Sequence, residues 1–124
     1  MANKQVGEVK LIAGAATYTL RFGSYAIAQL ETELDRPMLD LALELEDESK
    51  RRMKTLVAAL WAALQEHHPE VDMRRAYSIL DDAGFTEAGQ KVAECLNLAF
   101  PDAEGGAENP PNRRARRKAA ATAR

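Results

Sequence analysis

Cysteine, aromatic residues and long apolar runs are all scarce in this chain of 124 residues. The single cysteine, Cys95, excludes an internal disulfide framework and a thiolate cluster for zinc. Nowhere do ~20 apolar residues run together, so no membrane-spanning helix is expected. The opening residues, Met1-Ala2-Asn3-Lys4-Gln5, do not read as the apolar core of a secretory leader, and the expectation is a cytoplasmic protein. No glycine-rich dinucleotide fingerprint, phosphate-binding loop or nucleophile elbow occurs. With aromatics at 6%, Ala and Leu must build the core, and a hydrophobic content of 46% suffices for one domain and argues against wholesale disorder.

A net charge of −2 conceals a division. Residues 1–108 hold all 19 acidic side chains and 11 Lys/Arg, whereas residues 109–124 hold six Lys/Arg and no acid. An acidic body with a basic end suggests a segment that faces a partner or folds back on the body.

Hydrophobic period divides the chain into a hairpin and five helices. Val9 and Leu11, then Tyr18, Leu20 and Phe22, alternate with polar neighbours, the mark of half-buried strands. Gly14-Ala15-Ala16 supplies the turn of a β-hairpin over residues 7–22. A two-stranded hairpin is marginal alone, so its apolar face is expected to pack on the helical remainder of the chain. Ser24 is the expected cap of a first helix carrying Ile27, Leu30 and Leu34. Pro37 fits the first turn of a second, running to about Glu46. In the third, Met53, Leu56, Val57, Leu60, Trp61 and Leu64 form a full apolar stripe, ended at His67-His68-Pro69. A fourth begins near Asp72, presents Met73, Ala76, Tyr77 and Leu80 inward, and closes at Ala83-Gly84-Phe85. Thr86 is the expected cap of a fifth, with Val92, Leu96 and Ala99 inside. The expected fold class is α+β: an N-terminal hairpin on a small bundle of about five helices over residues 1–101. Residues 102–124, with Gly105-Gly106, Pro110-Pro111 and no apolar period, are expected to form a flexible basic tail.

Candidate chemistry is sparse. His67 and His68 lie near Glu70 and Asp72 without a second ligand cluster, so no metal, cofactor or catalytic residue is assigned. Cys95 lacks a basic neighbour in sequence to lower its pKa and reads as a small core thiol. Residues 72–98 superficially resemble a helix-turn-helix. A recognition helix needs donors and cations near its start. Here Asp81, Asp82 and Glu87 stand there and only Gln90 and Lys91 suit, so a DNA-binding regulator is the weaker reading. Arg113, Arg114, Arg116, Arg117 and Lys118 can contact nucleic acid nonspecifically through counterion release, but have no interleaved aromatics for base stacking. They can equally bind the acidic body or an acidic partner.

The second helix carries a stronger signal. Met38, Leu39, Leu41, Ala42, Leu43 and Leu45 cover nearly its whole circumference, leaving only Asp40 and Glu44 polar. Either the hairpin and third helix cover it on two sides, or Leu39 and Leu43 stay exposed for a partner or for self-association. Met38, Leu39, Leu43 and Met53 are the candidate partner-binding residues, being apolar and adaptable.

Gly7-Glu8-Val9 with Leu11, Tyr18-Thr19-Leu20-Arg21, Ala28-Gln29-Leu30-Glu31, the Leu56–Leu64 helix ending in His68-Pro69, and Ile79-Leu80-Asp81-Asp82-Ala83-Gly84 succeed one another along the chain. In that order they resemble the tail assembly chaperones of long-tailed phages and gene transfer agents. The resemblance spans roughly residues 6–100 and leaves the basic end outside. It implies a non-enzymatic role in tail morphogenesis, binding the tape measure protein, keeping it soluble and helping recruit tail tube subunits. Because the family is also labelled as a tail tube component, it leaves open a structural role in the particle.

Overall fold

The computed structural model describes residues 7–100. The tail expected over residues 102–124, including Arg113, Arg114, Arg116, Arg117 and Lys118, lies outside the described residues.

Alternation in the first segment produces the expected hairpin. β1 (Glu8–Ala13) and β2 (Ala16–Arg21) pair antiparallel, from Glu8 opposite Arg21 to Ala13 opposite Ala16. Gly14 opens the two-residue connection at φ 63°, the sign that a type II′ turn demands and a glycine accepts without strain. The register places Val9 beside Leu20 and Leu11 beside Tyr18. Val9, Leu11, Ala13, Leu20 and Phe22 are buried and Tyr18 is half-buried, whereas Ile12 faces outward.

Five helices complete the described chain: α1 (Ser24–Leu34), α2 (Met38–Glu46), α3 (Met53–Leu64), α4 (Met73–Ala83) and α5 (Phe85–Ala99). Helix α3 is the axis of the fold, packing on α1, α2, α4, α5 and β2. The expected stripe makes only part of its contact. Ala58, Ala59, Ala62 and Ala63 are buried as well, because alanine lets neighbouring backbones approach the faces that Leu56, Leu60 and Leu64 leave uncovered. Trp61 is partly buried and Met53, at the helix start, is half-exposed.

Several helix starts differ from expectation. Gly23, not Ser24, is the N-cap of α1, and Ser24 is already helical. Pro37 is the N-cap of α2 rather than its first turn, and Glu31 of α1 accepts the Met38 amide proton at 2.7 Å in place of a local cap. Gly84, with φ 95°, donates its N–H to Leu80 and is also the N-cap of α5, so Thr86 lies inside that helix. Helix α4 starts near Asp72 as expected, and Asp72 is its N-cap, accepting from the Arg75 amide at 2.8 Å.

The turn after α3 straps the hairpin to the bundle. Glu66 meets Arg21 of β2 at 2.7 Å, and His67 meets Glu8 of β1 at 3.0 Å. His68 Nε2 accepts the Thr19 amide proton at 3.0 Å, and its ring meets Tyr18 edge to face. This histidine therefore satisfies a backbone donor on the open edge of β2. Arg75 of α4 donates to the Tyr18 hydroxyl at 3.1 Å, adding a tie to the same strand.

Burial pulls the His68 pKa below its ordinary 6.5, an effect that the nearby Glu70 carboxylate only partly opposes. The folded state thus prefers the neutral ring, so stability is present above pH 6.5 and is lost as the pH falls through the lower folded value. Urea unfolding should show a lower midpoint at pH 5.5 than at pH 7.5. His68→Gln, which keeps an acceptor but cannot titrate, should reduce that difference. An unchanged pH dependence would show that the ring does not couple to folding.

Candidate partner surface on the second helix

On α2 the positions 38, 41 and 45 share one phase, and Met38, Leu41 and Leu45 are buried against the bundle. Met38 is 9% exposed, so the candidate surface does not include it. Leu39 and Leu43, one turn apart, are 68% and 72% exposed. Asp40 lies beside them on the outward face, exposed as well. Both leucines expected for a partner are therefore presented together.

Glu44 carries the polar side of the same packing. It occupies the core phase and is buried, with Arg36 Nη1 at 2.7 Å from Oε1 and Arg52 Nη2 at 3.0 Å from the same oxygen. Its Oε2 accepts the Arg52 amide proton at 3.0 Å and the Arg52 Nε–H at 3.2 Å. Burial by itself raises the carboxyl's pKa. The bonds from Arg52, Arg36 and the Thr55 hydroxyl, with the Arg52 amide, outweigh it and hold the group down at about 2. One carboxylate thus joins the loop before α2, the helix itself and the first turn of α3.

Arg51 adds a second tie by donating Nε–H to the Leu45 carbonyl at 2.8 Å. Its guanidinium lies over Gly89 of α5, in the space that a β-carbon there would enter. With Glu31 at its start and Glu44 and Arg51 near its end, α2 is held in one rotational setting. Leu39 and Leu43 cannot roll inward without breaking these bonds. Met53 begins α3 next to Arg52 and is 46% exposed, which puts a third apolar side chain near the Glu44 end of α2.

Other candidates supply less. A cleft of about 530 Å³ lies where β2 meets α1, lined by Arg21, Tyr25, Gln29 and Glu66 among others. His67 and His68 are occupied with the hairpin. Among the described residues, no group of three or more His, Cys, Asp or Glu could hold a metal ion, and no helix is long and apolar enough to cross a membrane. Asp81, Asp82 and Glu87 are all exposed around the α4–α5 turn, which places negative charge where a helix-turn-helix would meet phosphate.

Cys95 is fully buried on α5, and burial pushes its thiol up to about 12. A thiol-specific reagent at pH 8 should therefore leave the folded protein unmodified and react once urea unfolds it. Fast labelling of the native protein would contradict this burial.

Glu44→Ala should destabilise the fold by about 1–2 kcal/mol, since it removes the acceptor of several charge-assisted hydrogen bonds while Arg36 and Arg52, 30% and 71% exposed, stay solvated. Because the folded pKa lies below the ordinary 4.5, the carboxylate's contribution is present above pH 4.5 and is lost as the pH falls toward 2. Denaturant titrations of both proteins across that range provide the check.

Comparison with family models, with curated proteins and with solved structures returned no match.

Proposed function

We propose that this chain is a non-enzymatic assembly chaperone of phage or gene transfer agent tails. In this reading it binds the tape measure protein and helps recruit tail tube subunits. The observation that carries the proposal is the fixed outward setting of Leu39 and Leu43 on a helix whose opposite face is locked into the core. The order of short motifs along residues 6–100, which resembles that of the tail assembly chaperones, supplies the choice of client.

The chemistry suits a transient helper. Two leucines and a methionine offer a small adaptable surface without a preorganised reactive centre. The described residues hold sixteen acidic and ten basic side chains, a balance of −6 that steers a basic client toward the body. A long helical client could engage several copies in series, each by weak contacts.

Leu39→Asp with Leu43→Asp should leave the protein folded at a cost of about 1 kcal/mol, from the lower helix propensity of Asp at two exposed positions. The same pair should abolish co-purification with the tape measure protein encoded in the same genome. Coexpression of the parent should raise that client's soluble yield. A client equally soluble alone, with no complex recovered, would refute the reading. Retention of the chain in purified particles would favour a structural tail component instead.

A further inference from the structure

Helix α1 carries a row of side chains at the margin of the core. Tyr25, Gln29 and Glu33 recur every four residues and so lie along one side of the helix. Two clefts adjoin along this row. The cleft where β2 meets α1 has Tyr25 and Gln29 in its wall. A second, of about 310 Å³, is formed by the same two side chains with Thr32, Glu33 and, from α3, Trp61.

The polar groups of this groove are incompletely matched. Gln29 Nε2 donates to the Tyr25 hydroxyl at 3.3 Å, yet Gln29 Oε1 is buried and accepts no hydrogen bond among the described residues. Buried acceptors in folded proteins nearly always have a partner, so this oxygen marks a place for a donor. Three charged side chains line the two clefts. Arg21 and Glu66 pair with one another at 2.7 Å, whereas Glu33 is exposed and has no ion pair among the described residues. The unmatched charge is therefore negative. Two aromatic side chains complete the lining: Tyr25, 74% exposed, and the partly buried Trp61.

We infer that the α1–α3 groove receives an arginine side chain of a partner polypeptide. A guanidinium group donates hydrogen bonds in its plane and stacks its faces on aromatic rings. It thus answers the orphan acceptor, the surplus carboxylate and the rings together. A carboxylate ligand would face Glu33, and an apolar side chain would leave Gln29 Oε1 without a donor. An ammonium group supplies the charge but lacks the flat face. The site belongs to α1 and α3, not to α2, and does not depend on which client the protein serves.

Trp61 is the sole tryptophan of the chain, so its emission reports on the groove directly. Titration of the full-length protein with acetyl-Gly-Arg-Gly-amide should change that emission saturably, with a roughly millimolar midpoint. The norleucine counterpart should need an about tenfold higher concentration, with the lysine peptide in between. Gln29→Leu should raise the arginine midpoint about fivefold. It should not lower the urea midpoint, because the oxygen removed has no partner in the folded protein. Glu33→Gln should also weaken binding and remove most of its salt dependence. The inference is overturned by no saturable change with the arginine peptide, by an equal response to norleucine, or by a stronger response to the aspartate peptide. Unaltered arginine binding by Gln29→Leu would overturn it as well. Because no tape measure protein is present, these results are separate from the test of the chaperone reading.

Discussion

An ionised carboxylate kept out of water governs the arrangement of this molecule. Glu44 stays charged while buried because two guanidinium groups, a hydroxyl and a backbone amide converge on it. Stripping water from such a group costs several kcal/mol, and only a complete set of partners offsets that. The site is consequently all-or-nothing: α2 sits where Arg36, Arg52 and Thr55 can all reach it, or the charge is stranded. Burying Leu39 and Leu43 would gain roughly 2 kcal/mol each. The rotation required would expose Leu41 and Leu45 and strand the carboxylate, so the outward setting wins.

A similar logic fixes the hairpin. Two strands cannot support themselves in water, and β1 packs on α4 and α5 while β2 packs on α3 and α5. The polar contacts come from one short turn, where Glu66, His67 and His68 reach Arg21, Glu8 and the Thr19 amide. Unlike Glu44, this strap is partly exposed, and its ion pairs are worth little individually. Its structural value lies mainly in His68, which satisfies an edge donor that another strand could otherwise claim.

Period was legible in the sequence, and pairing across space was not. Alternation at Val9, Leu11, Tyr18, Leu20 and Phe22 locates both strands, and the Met53–Leu64 stripe locates α3, because each depends on neighbours a few positions away. Phase within α2 also separates Met38, Leu41 and Leu45 from Leu39 and Leu43. Choosing partner residues for their apolar, adaptable character instead placed Met38 on the surface. The same phase puts Glu44 inside, and Arg36 and Arg52, eight residues to either side, were the available sign that it would be neutralised. The His68–Thr19 bond spans 49 positions and leaves no local trace. Cap positions shifted by one residue at Ser24 and by two at Thr86 because Gly23 and Gly84 adopt the non-helical backbone that precedes each helix.

Rigidity and weak attachment are compatible on α2. A stable protein interface buries about 1,600 Å² in total, far more than two leucines and a neighbouring methionine provide. Such a surface favours contacts that form and release readily, and its carboxylates bias the encounter toward basic segments without adding much net affinity. Strength would then come from repetition along a long partner, since linked weak sites gain avidity without new contacts. A helix free to roll would instead hide its leucines between encounters and present a different face at each. By holding α2 in one orientation, Glu44 gives every copy the same small surface, which the proposed repetitive binding along one client would require.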